Sequence, residues 1–224
     1  MKLTRPAIAV ALGTALIVTG SAQAKVKPKP PKPVCNLLTD APGDAALIGP
    51  PAPDPSNDAL DILSADVAAD AKNVTAVIRV KKLAKTAPTF APTGIQWRVG
   101  FTADDVVFSM AAHTNALGTE VYDASYKTTV GGSLYSGGVT GQFDLAKNEI
   151  HITAPTSLFS AQATIKPGKV LSALTANTYI DVVVPDATGK FGGGTFASDG
   201  LGIDSGTSDK TYKVGTLSCV TPGK

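Results

Sequence analysis

Reactive side chains are scarce in this sequence of 224 residues. It contains two cysteines, two histidines, two methionines and one tryptophan, and its only glutamates are Glu120 and Glu149. Neither a Cys-x-x-Cys pair nor the Gly-x-Ser-x-Gly turn of many serine hydrolases occurs in it. This composition disfavours a zinc or thiol-redox centre and supplies no catalytic motif, so we expect a non-catalytic protein.

Long apolar runs are also missing, except at the N-terminus. Lys2 and Arg5 precede the apolar segment Ala7–Val18, which is shorter than the roughly 20 residues that span a bilayer. Ser21–Ala24 then ends in the small-x-small pattern that signal peptidase accepts. We predict a cleaved secretory signal over residues 1–24 and no membrane span in the mature protein. An uncleaved anchor helix is the alternative.

Neither sign of charge dominates once the predicted signal is removed. Lys2 and Arg5 are two of the 20 basic residues, which leaves 18 basic against 18 acidic residues, so the composition does not indicate nucleic-acid binding. Residues 25–34 are rich in proline and lysine, which predicts an extended, solvated linker. The linker is either a spacer or a segment whose lysines contact an anionic cell surface.

The two cysteines, Cys35 and Cys219, bracket the rest of the chain. In an oxidising compartment, a single pair of this kind most simply forms a disulfide. Closing so long a loop stabilises a fold by about 5 kcal/mol at the upper end of the usual range. We therefore predict a secreted or cell-envelope protein with one disulfide-closed domain over residues 35–224.

Apolar residues alternate with period two along most of this domain, which is typical of β-strands. The clearest strands are Ile95–Phe101 and Val74–Val80, and polar clusters at 70–73 and 146–148 predict hairpin turns. Further strands are expected at 59–67, 105–111, 120–127, 139–145, 149–153, 178–184 and 211–220. Many short strands without a helical period predict an all-β fold, a single antiparallel two-sheet β-sandwich.

Two acidic stretches could supply oxygen ligands to a cation. The first contains Asp40, Asp44, Asp54, Asp58 and Asp61, and the second, which is rich in glycine, contains Asp199, Asp204 and Asp209. Ca²⁺ is held by carboxylates and by turn carbonyls, which such loops provide. We predict Asp40, Asp44 and Asp61 as ligands of a possible Ca²⁺ ion. The alternative is that these aspartates only form turns.

Exposed aromatic side chains are the usual contacts of a bound sugar, because a flat ring stacks on the apolar face of a pyranose. Tyr122, Tyr126 and Tyr135 lie in a Gly/Ser/Thr-rich stretch, and the first two share one face of a strand. We predict them as ligand-binding residues, with packing over the edge of the sheet as the alternative. Trp97 shares its face with three apolar residues, so we place it in the core.

The histidines and the methionine suggest two further hypotheses. A hydrolase would need His113 or His151 beside an activated hydroxyl, and the strand position of His151, between two isoleucines, predicts that it points away from the core. A haem site would need Met110 together with one of these histidines. A single methionine in an apolar strand is more often a core residue, so no cofactor is required by the sequence.

Several motifs together resemble a known class of secreted bacterial β-sandwich modules. They are Asp40-x-x-Gly-Asp44, Leu60–Ile62, Asn73–Val80, Trp97–Phe101, Gly141–Asp144, Asn148–Ile152 and Tyr212–Gly215. This pattern resembles DOMON-like and family 9 carbohydrate-binding-like domains. The resemblance implies a jelly-roll or immunoglobulin-like sandwich, in some members with structural Ca²⁺, and a ligand site on one sheet face or rim.

The expected function is therefore that of a non-catalytic extracellular binding or accessory module. The expected partner is a polysaccharide or another cell-envelope component. The alternative is a structural or protein-interaction protein of the cell surface that binds no small molecule.

Overall fold

The computed structural model describes residues 31–45, 58–86, 94–114, 117–128, 131–135, 137–180 and 202–223. From Lys32 onward the chain forms one compact unit. The predicted signal over residues 1–24 and the first part of the predicted linker, residues 25–30, lie outside the described residues.

The described residues form twelve strands, because short apolar–polar runs alternate with turn-forming residues. The strands are β1 (Leu38–Thr39), β2 (Ile62–Ala69), β3 (Asn73–Val80), β4 (Ile95–Ala103), β5 (Val106–Thr114), β6 (Glu120–Thr128), β7 (Gly131–Tyr135), β8 (Thr140–Asp144), β9 (Glu149–Pro155), β10 (Val170–Ile180), β11 (Gly202–Ser208) and β12 (Tyr212–Lys213). A short 3-10 turn, Thr156–Leu158, follows Pro155, the last residue of β9.

The strands form two antiparallel sheets that pack face to face. The smaller sheet has the order β1-β2-β3-β9-β8. The larger sheet has the order β11-β10-β4-β5-β6-β7, and β12 pairs with β10 beside this path. The predicted all-β sandwich is therefore confirmed.

The core lies between the sheets and is built from the inward residues of each strand. Trp97 of β4 is fully buried and meets Phe143 of β8 edge to face, with ring centroids 5.2 Å apart. The Trp97 indole N–H donates a hydrogen bond of 2.8 Å to the carbonyl of Ala59. Phe159, which follows the 3-10 turn, packs edge to face against Phe108. The prediction that Trp97 is a core residue is confirmed.

The smaller sheet is covered on its outer face as well, by the two ends of the domain. Gly223 donates its backbone N–H to the Thr75 hydroxyl at 2.9 Å, and Gly215 donates to the carbonyl of Ala69 at 3.2 Å. At the other end, Leu37 donates its N–H to the carboxylate of Asp66. Strands β2 and β3 are consequently buried on both faces along most of their length.

The disulfide between Cys35 and Cys219 holds these two terminal segments together. The Cα atoms are 5.2 Å apart, and the bridge spans 184 residues. Next to it, Val34 and Ser218 form an isolated parallel β-bridge. The predicted disulfide is confirmed. It joins the segments flanking the first and last strands, because residues 214–223 cross the sheet largely as irregular chain.

The two predicted hairpin turns are present. Asp70 accepts the N–H groups of Lys72 and Asn73 at the β2–β3 turn, and Asp144 accepts those of Ala146 and Lys147 at the β8–β9 turn. Both turns therefore use an aspartate side chain to satisfy backbone donors, as Asx turns do.

Two strand predictions need correction, and three observed strands were not predicted. β10 begins at Val170, well before the predicted start at Thr178, and residues 181–184 lie outside the described residues. In the region predicted as a strand over 211–220, only Tyr212–Lys213 is strand. β1, β7 and β11 have no predicted counterpart, because β1 has only two residues and the Gly/Ser/Thr-rich sequences of β7 and β11 lack an apolar alternation.

Within the described part of the chain, no helix combines the length and the apolar character that crossing a membrane takes.

Candidate functional site

Three aspartates converge where edge strands of the two sheets come together. β1 lies at one edge of the smaller sheet and β11 at one edge of the larger sheet. Asp40 and Asp44 belong to the loop after β1, and Asp204 belongs to β11. One carboxylate oxygen from each of Asp40, Asp44 and Asp204 lies within 4.8 Å of the other two. We call these three residues the aspartate cluster.

Asp204 is the most firmly held member of the aspartate cluster. Only 8% of it is exposed, and its Oδ2 accepts the N–H of Ile62 at 2.6 Å. Its Oδ1 accepts the N–H of Ser205 at 2.7 Å. In Asp40, Oδ1 accepts the N–H of Ala41, whereas Oδ2 is buried and has no hydrogen-bond partner among the described residues. Asp44 is exposed.

The close approach of β11 to the loop depends on Gly206. A Cβ atom at this position would lie 2.8 Å from the Leu38 side chain and 3.1 Å from Oδ2 of Asp40. The absence of a side chain therefore lets the backbone of β11 reach the Asp40 carboxylate.

Asp61 supports the loop of the aspartate cluster from beneath. It is 1% exposed, and its Oδ2 accepts the N–H of Gly43, which lies between Asp40 and Asp44, at 2.8 Å. The same oxygen is 3.9 Å from Nζ of Lys81. The other oxygen, Oδ1, is buried without a hydrogen-bond partner among the described residues. A buried carboxylate oxygen normally has a donor or a cation beside it.

The shifted pKa values reflect the crowding of negative charge in this region. Burial raises the pKa of Asp204 to about 6, and the charges of Asp40 and Asp44 add to that increase. Burial also raises the pKa of Asp40 and of Asp61, although the hydrogen bond from Gly43 and the charge of Lys81 partly offset the effect at Asp61. Each of these three carboxyl groups is therefore protonated more readily than a free aspartate.

The structure changes the roles of the predicted ligands. Asp40 and Asp44 converge as expected, whereas Asp61 positions their loop, and the third converging oxygen comes from Asp204. Asp58 forms an ion pair with Lys81 instead. Asp54 and Asp199 lie outside the described residues. That the region binds Ca²⁺ stays a prediction.

Tyr122 and Tyr126 lie on the inward side of β6. Both pair in register with core residues of β5, and both are partly buried against the hydrophobic core. The Tyr122 ring meets Phe143 edge to face at 6.3 Å, and its hydroxyl donates to Glu120 at 2.6 Å. This packing favours the alternative of rings that cover the core at the edge of the sheet. Tyr135 pairs in register with Ala124, and its ligand role stays a prediction.

The outward side of the larger sheet carries a different set of polar side chains. Six half-buried residues occupy outward-facing positions on β4, β5, β6 and β10, alternating with the core residues of these strands. We call them the polar face: Arg98, Ser109, Ser125, Thr175, Asn177 and Tyr179. Arg98 pairs in register with Asn177, and its Cζ lies 5.2 Å from the centroid of the Tyr179 ring. The hydroxyls of Ser109 and Ser125 are 2.7 Å apart.

A buried hydrogen-bonded network borders the polar face. Nε2 of His113 lies 2.7 Å from Oδ2 of Asp123 and 3.1 Å from Nε2 of Gln96. All three side chains are almost completely buried. Because close packing restricts the rotamers of buried polar side chains, these three residues support this end of the sheet.

His151 points away from the core, as predicted, since it alternates with the buried residues Ile150 and Ile152. Its Nε2 is 3.0 Å from Oε2 of Glu149, and that carboxylate also binds Arg79. Met110 is fully buried in the core cluster, which favours its role as a core residue.

Comparisons with known proteins add no further assignment. No protein-family model matches the chain. No curated protein matches it, and no solved structure matches it either.

Proposed function

We propose that the chain is a non-catalytic binding or accessory module that works outside the cytoplasm and binds a carbohydrate polymer. The observation that carries the proposal is the polar face, where Arg98, Asn177 and Tyr179 stand side by side on a rigid sheet. The likeness of the sequence motifs to family 9 carbohydrate-binding-like modules stays a prediction, and it agrees with a ligand site on a sheet face.

The chemistry of the polar face suits a sugar chain. A polysaccharide presents many hydroxyl groups, which need both donors and acceptors, and an apolar ring face, which packs on aromatic rings. Arg98 offers a guanidinium with several donors, and Thr175, Ser109 and Ser125 offer hydroxyls. The cation–π contact between Arg98 and Tyr179 holds both side chains in place, which lowers the entropic cost of binding.

The disulfide supports a location outside the cytoplasm. Disulfides persist in oxidising compartments and are rare in the cytosol, and Cys35–Cys219 is formed in this fold. The predicted signal over residues 1–24 agrees with export, which stays part of the proposal.

A pull-down with insoluble polysaccharides, with cellulose, chitin, xylan and peptidoglycan as probes, tests the function. A hydrogen bond from a charged donor contributes about 1.5–3 kcal/mol. We therefore expect Arg98→Gln to weaken binding to the retained polymer by about ten- to a hundredfold. Lys147→Gln removes the same charge from an exposed turn of the smaller sheet and serves as the matched control.

If the polysaccharide retains Arg98→Gln and Lys147→Gln equally well, the ligand does not bind at the polar face. If none of the polymers retains the protein, while crosslinking on cells recovers one persistent protein partner, the alternative of a structural or protein-interaction role is supported instead.

A further inference from the structure

We propose that the ligand of the polar face is an acidic polysaccharide, and that Arg98 binds the carboxylate of one of its sugars. This inference rests on the proposed function and adds the class of sugar to it. It starts from Arg98 itself, a half-buried cation of β4 for which the described residues supply no carboxylate partner.

The side chain of Arg98 is held in place without being neutralised. Its Cζ lies 5.2 Å from the centroid of the Tyr179 ring, and such a contact orients a guanidinium but accepts no hydrogen bond in the plane of its five N–H donors. On the smaller sheet, the guanidinium of Arg79 donates to both Asp66 and Glu149. No hydrogen bond or ion pair of this kind joins Arg98 to another described residue. The donors of Arg98 are therefore available to a ligand.

The carboxylates nearest to Arg98 in the sheet are occupied or lie on its other side. Ala111 lies opposite Arg98 on β5, and Asp123 lies opposite Ala111 on β6, which puts Asp123 about 10 Å away, two strands from β4. The Asp123 carboxylate belongs to the buried network that borders the polar face, and it is only 3% exposed. Asp204 of β11 pairs in register with the buried Thr178, so it lies on the inward side of the sheet.

The net charge of the domain makes a local cation necessary for this kind of ligand. Six of the 20 basic residues precede Pro33, whereas all 18 acidic residues follow it, so the chain from Pro33 onward has 14 basic residues against 18 acidic ones. The domain as a whole therefore repels an acidic polymer, and only an unpaired cation within reach attracts it. Binding of such a polymer would consequently report a specific contact and not a general attraction.

The groups around Arg98 suit the rest of an acidic sugar. A guanidinium binds a carboxylate through two parallel hydrogen bonds. Beside it, the Tyr179 ring can pack on the apolar face of a sugar ring, and the amide of Asn177 can bond to sugar hydroxyls. The hydroxyl of Thr175 reaches over Gly100, where a Cβ atom would lie only 2.5 Å from it. A neutral sugar would leave the charge of Arg98 uncompensated, so we expect an acidic one to be preferred.

The test compares polygalacturonate with its fully methyl-esterified form, because the two share a backbone and differ in the charge of the carboxyl group. Alginate and its propylene glycol ester form a second such pair. Isothermal titration calorimetry of the intact, disulfide-bonded protein measures the affinity for oligomers of each form. We expect the acidic form of at least one pair to bind at least about tenfold more tightly than its ester.

Variants of Arg98 test whether this side chain causes the preference. Arg98→Gln should weaken binding of the acidic form by about ten- to a hundredfold, so that the difference between the two forms disappears. Arg98→Lys keeps the charge without the planar fork and should lose less. Lys147→Gln, which removes one positive charge from the smaller sheet, is the matched control and should keep the preference. Circular dichroism checks that each variant is folded.

The inference is overturned if the unmodified protein binds the acid and the ester of both pairs equally tightly, or if folded Arg98→Gln keeps the preference for the acidic form. Binding to a neutral polysaccharide alone, when Arg98→Gln abolishes it, would support the proposed function and refute this inference. If neither acidic nor neutral polysaccharides bind, the proposed function itself fails, and the choice of an acidic ligand fails with it.

Discussion

Arg79 donates a hydrogen bond of 2.6 Å from Nη1 to Oδ2 of Asp66, whose side chain is fully buried. The same guanidinium reaches across the sheet to Glu149, with Nε 2.8 Å from Oε1. Asp66 in turn accepts the N–H of Leu37 and so ties the N-terminal segment to the sheet. One arginine thus links three strands of the smaller sheet and the segment next to the disulfide.

Arg79→Met should destabilise the protein strongly. It leaves the buried Asp66 carboxylate without its cation, and removing one partner of a buried pair costs about 3–5 kcal/mol. We expect a loss near the lower end, about 3 kcal/mol, because the Arg79 side chain is 25% exposed. Urea unfolding followed by the fluorescence of Trp97, the only tryptophan, measures the change.

Arg98→Met is the control for this experiment, since Arg98 contacts the Tyr179 ring on the other sheet. It should cost no more than about 1 kcal/mol. Similar losses for the two variants would contradict the role assigned to Asp66.

Removal of the disulfide should lower stability without changing the fold. The bridge closes a loop of 184 residues, and chain-entropy arithmetic gives an upper value of about 5 kcal/mol for its contribution. We expect Cys35→Ser and Cys219→Ser to lose equal amounts in urea unfolding, and the double variant to lose no more than either one. A thiol assay of the denatured, unreduced protein should find no free thiol; two thiols per chain would refute the bridge.

Gly141→Ala should destabilise the β8 edge of the smaller sheet. A Cβ atom at Gly141 would overlap the Tyr122 ring and the carbonyl of His151. Overpacking of this kind costs about 1–3 kcal/mol. Gly137→Ala is the matched control, because a Cβ atom there meets nothing within 4 Å. Thermal melts of the two variants measure the difference. Equal melting temperatures would show that β8 shifts to accommodate the Cβ atom without a loss of stability.

The carboxylate of Glu149 should contribute to the loss of stability in acid. Burial acts to raise its pKa, but the hydrogen bonds from His151 and Arg79 outweigh burial and lower the pKa below the usual 4.5. A carboxyl with a lowered folded-state pKa stabilises the protein above the unfolded value, and this contribution disappears as the pH falls through the folded value.

Glu149→Gln should therefore lose less stability than the unmodified protein as the pH falls below the usual glutamate value of 4.5. Urea unfolding at a series of pH values measures the two slopes, with Asp209→Asn as the control for the loss of one carboxylate. Identical slopes for Glu149→Gln and the unmodified protein would argue against this linkage.

Several features were predictable from the sequence, because they follow from local patterns. Ile95–Phe101 alternates strictly, so its position in β4 and the burial of Trp97 follow from the period of a strand. The start of β10 could not be predicted from the same alternation, because the strand contains a β-bulge. Ala173 has a positive φ of 48°, the pairing with β4 shifts between Ser172 and Thr175, and the inward residues Leu171 and Leu174 are three apart.

The site was only half predictable for a similar reason. Asp40 and Asp44 lie in one turn, so their proximity is a local property of the chain. Asp204 meets them through strand packing, as its hydrogen bond to Ile62, 142 residues away, illustrates. Tyr122 and Tyr126 share one face by their spacing, but spacing cannot say whether that face meets the core or the solvent.

The sequence by itself determined the all-β sandwich and its single disulfide. The sandwich follows from the local alternation of apolar and polar residues, and the disulfide follows from the composition, because the chain has only two cysteines. Only the tertiary structure decided which acidic residues meet and which sheet face holds Arg98, Asn177 and Tyr179 together. Those contacts depend on the order and register of the strands, and many different strand orders are compatible with the same alternation of apolar and polar residues.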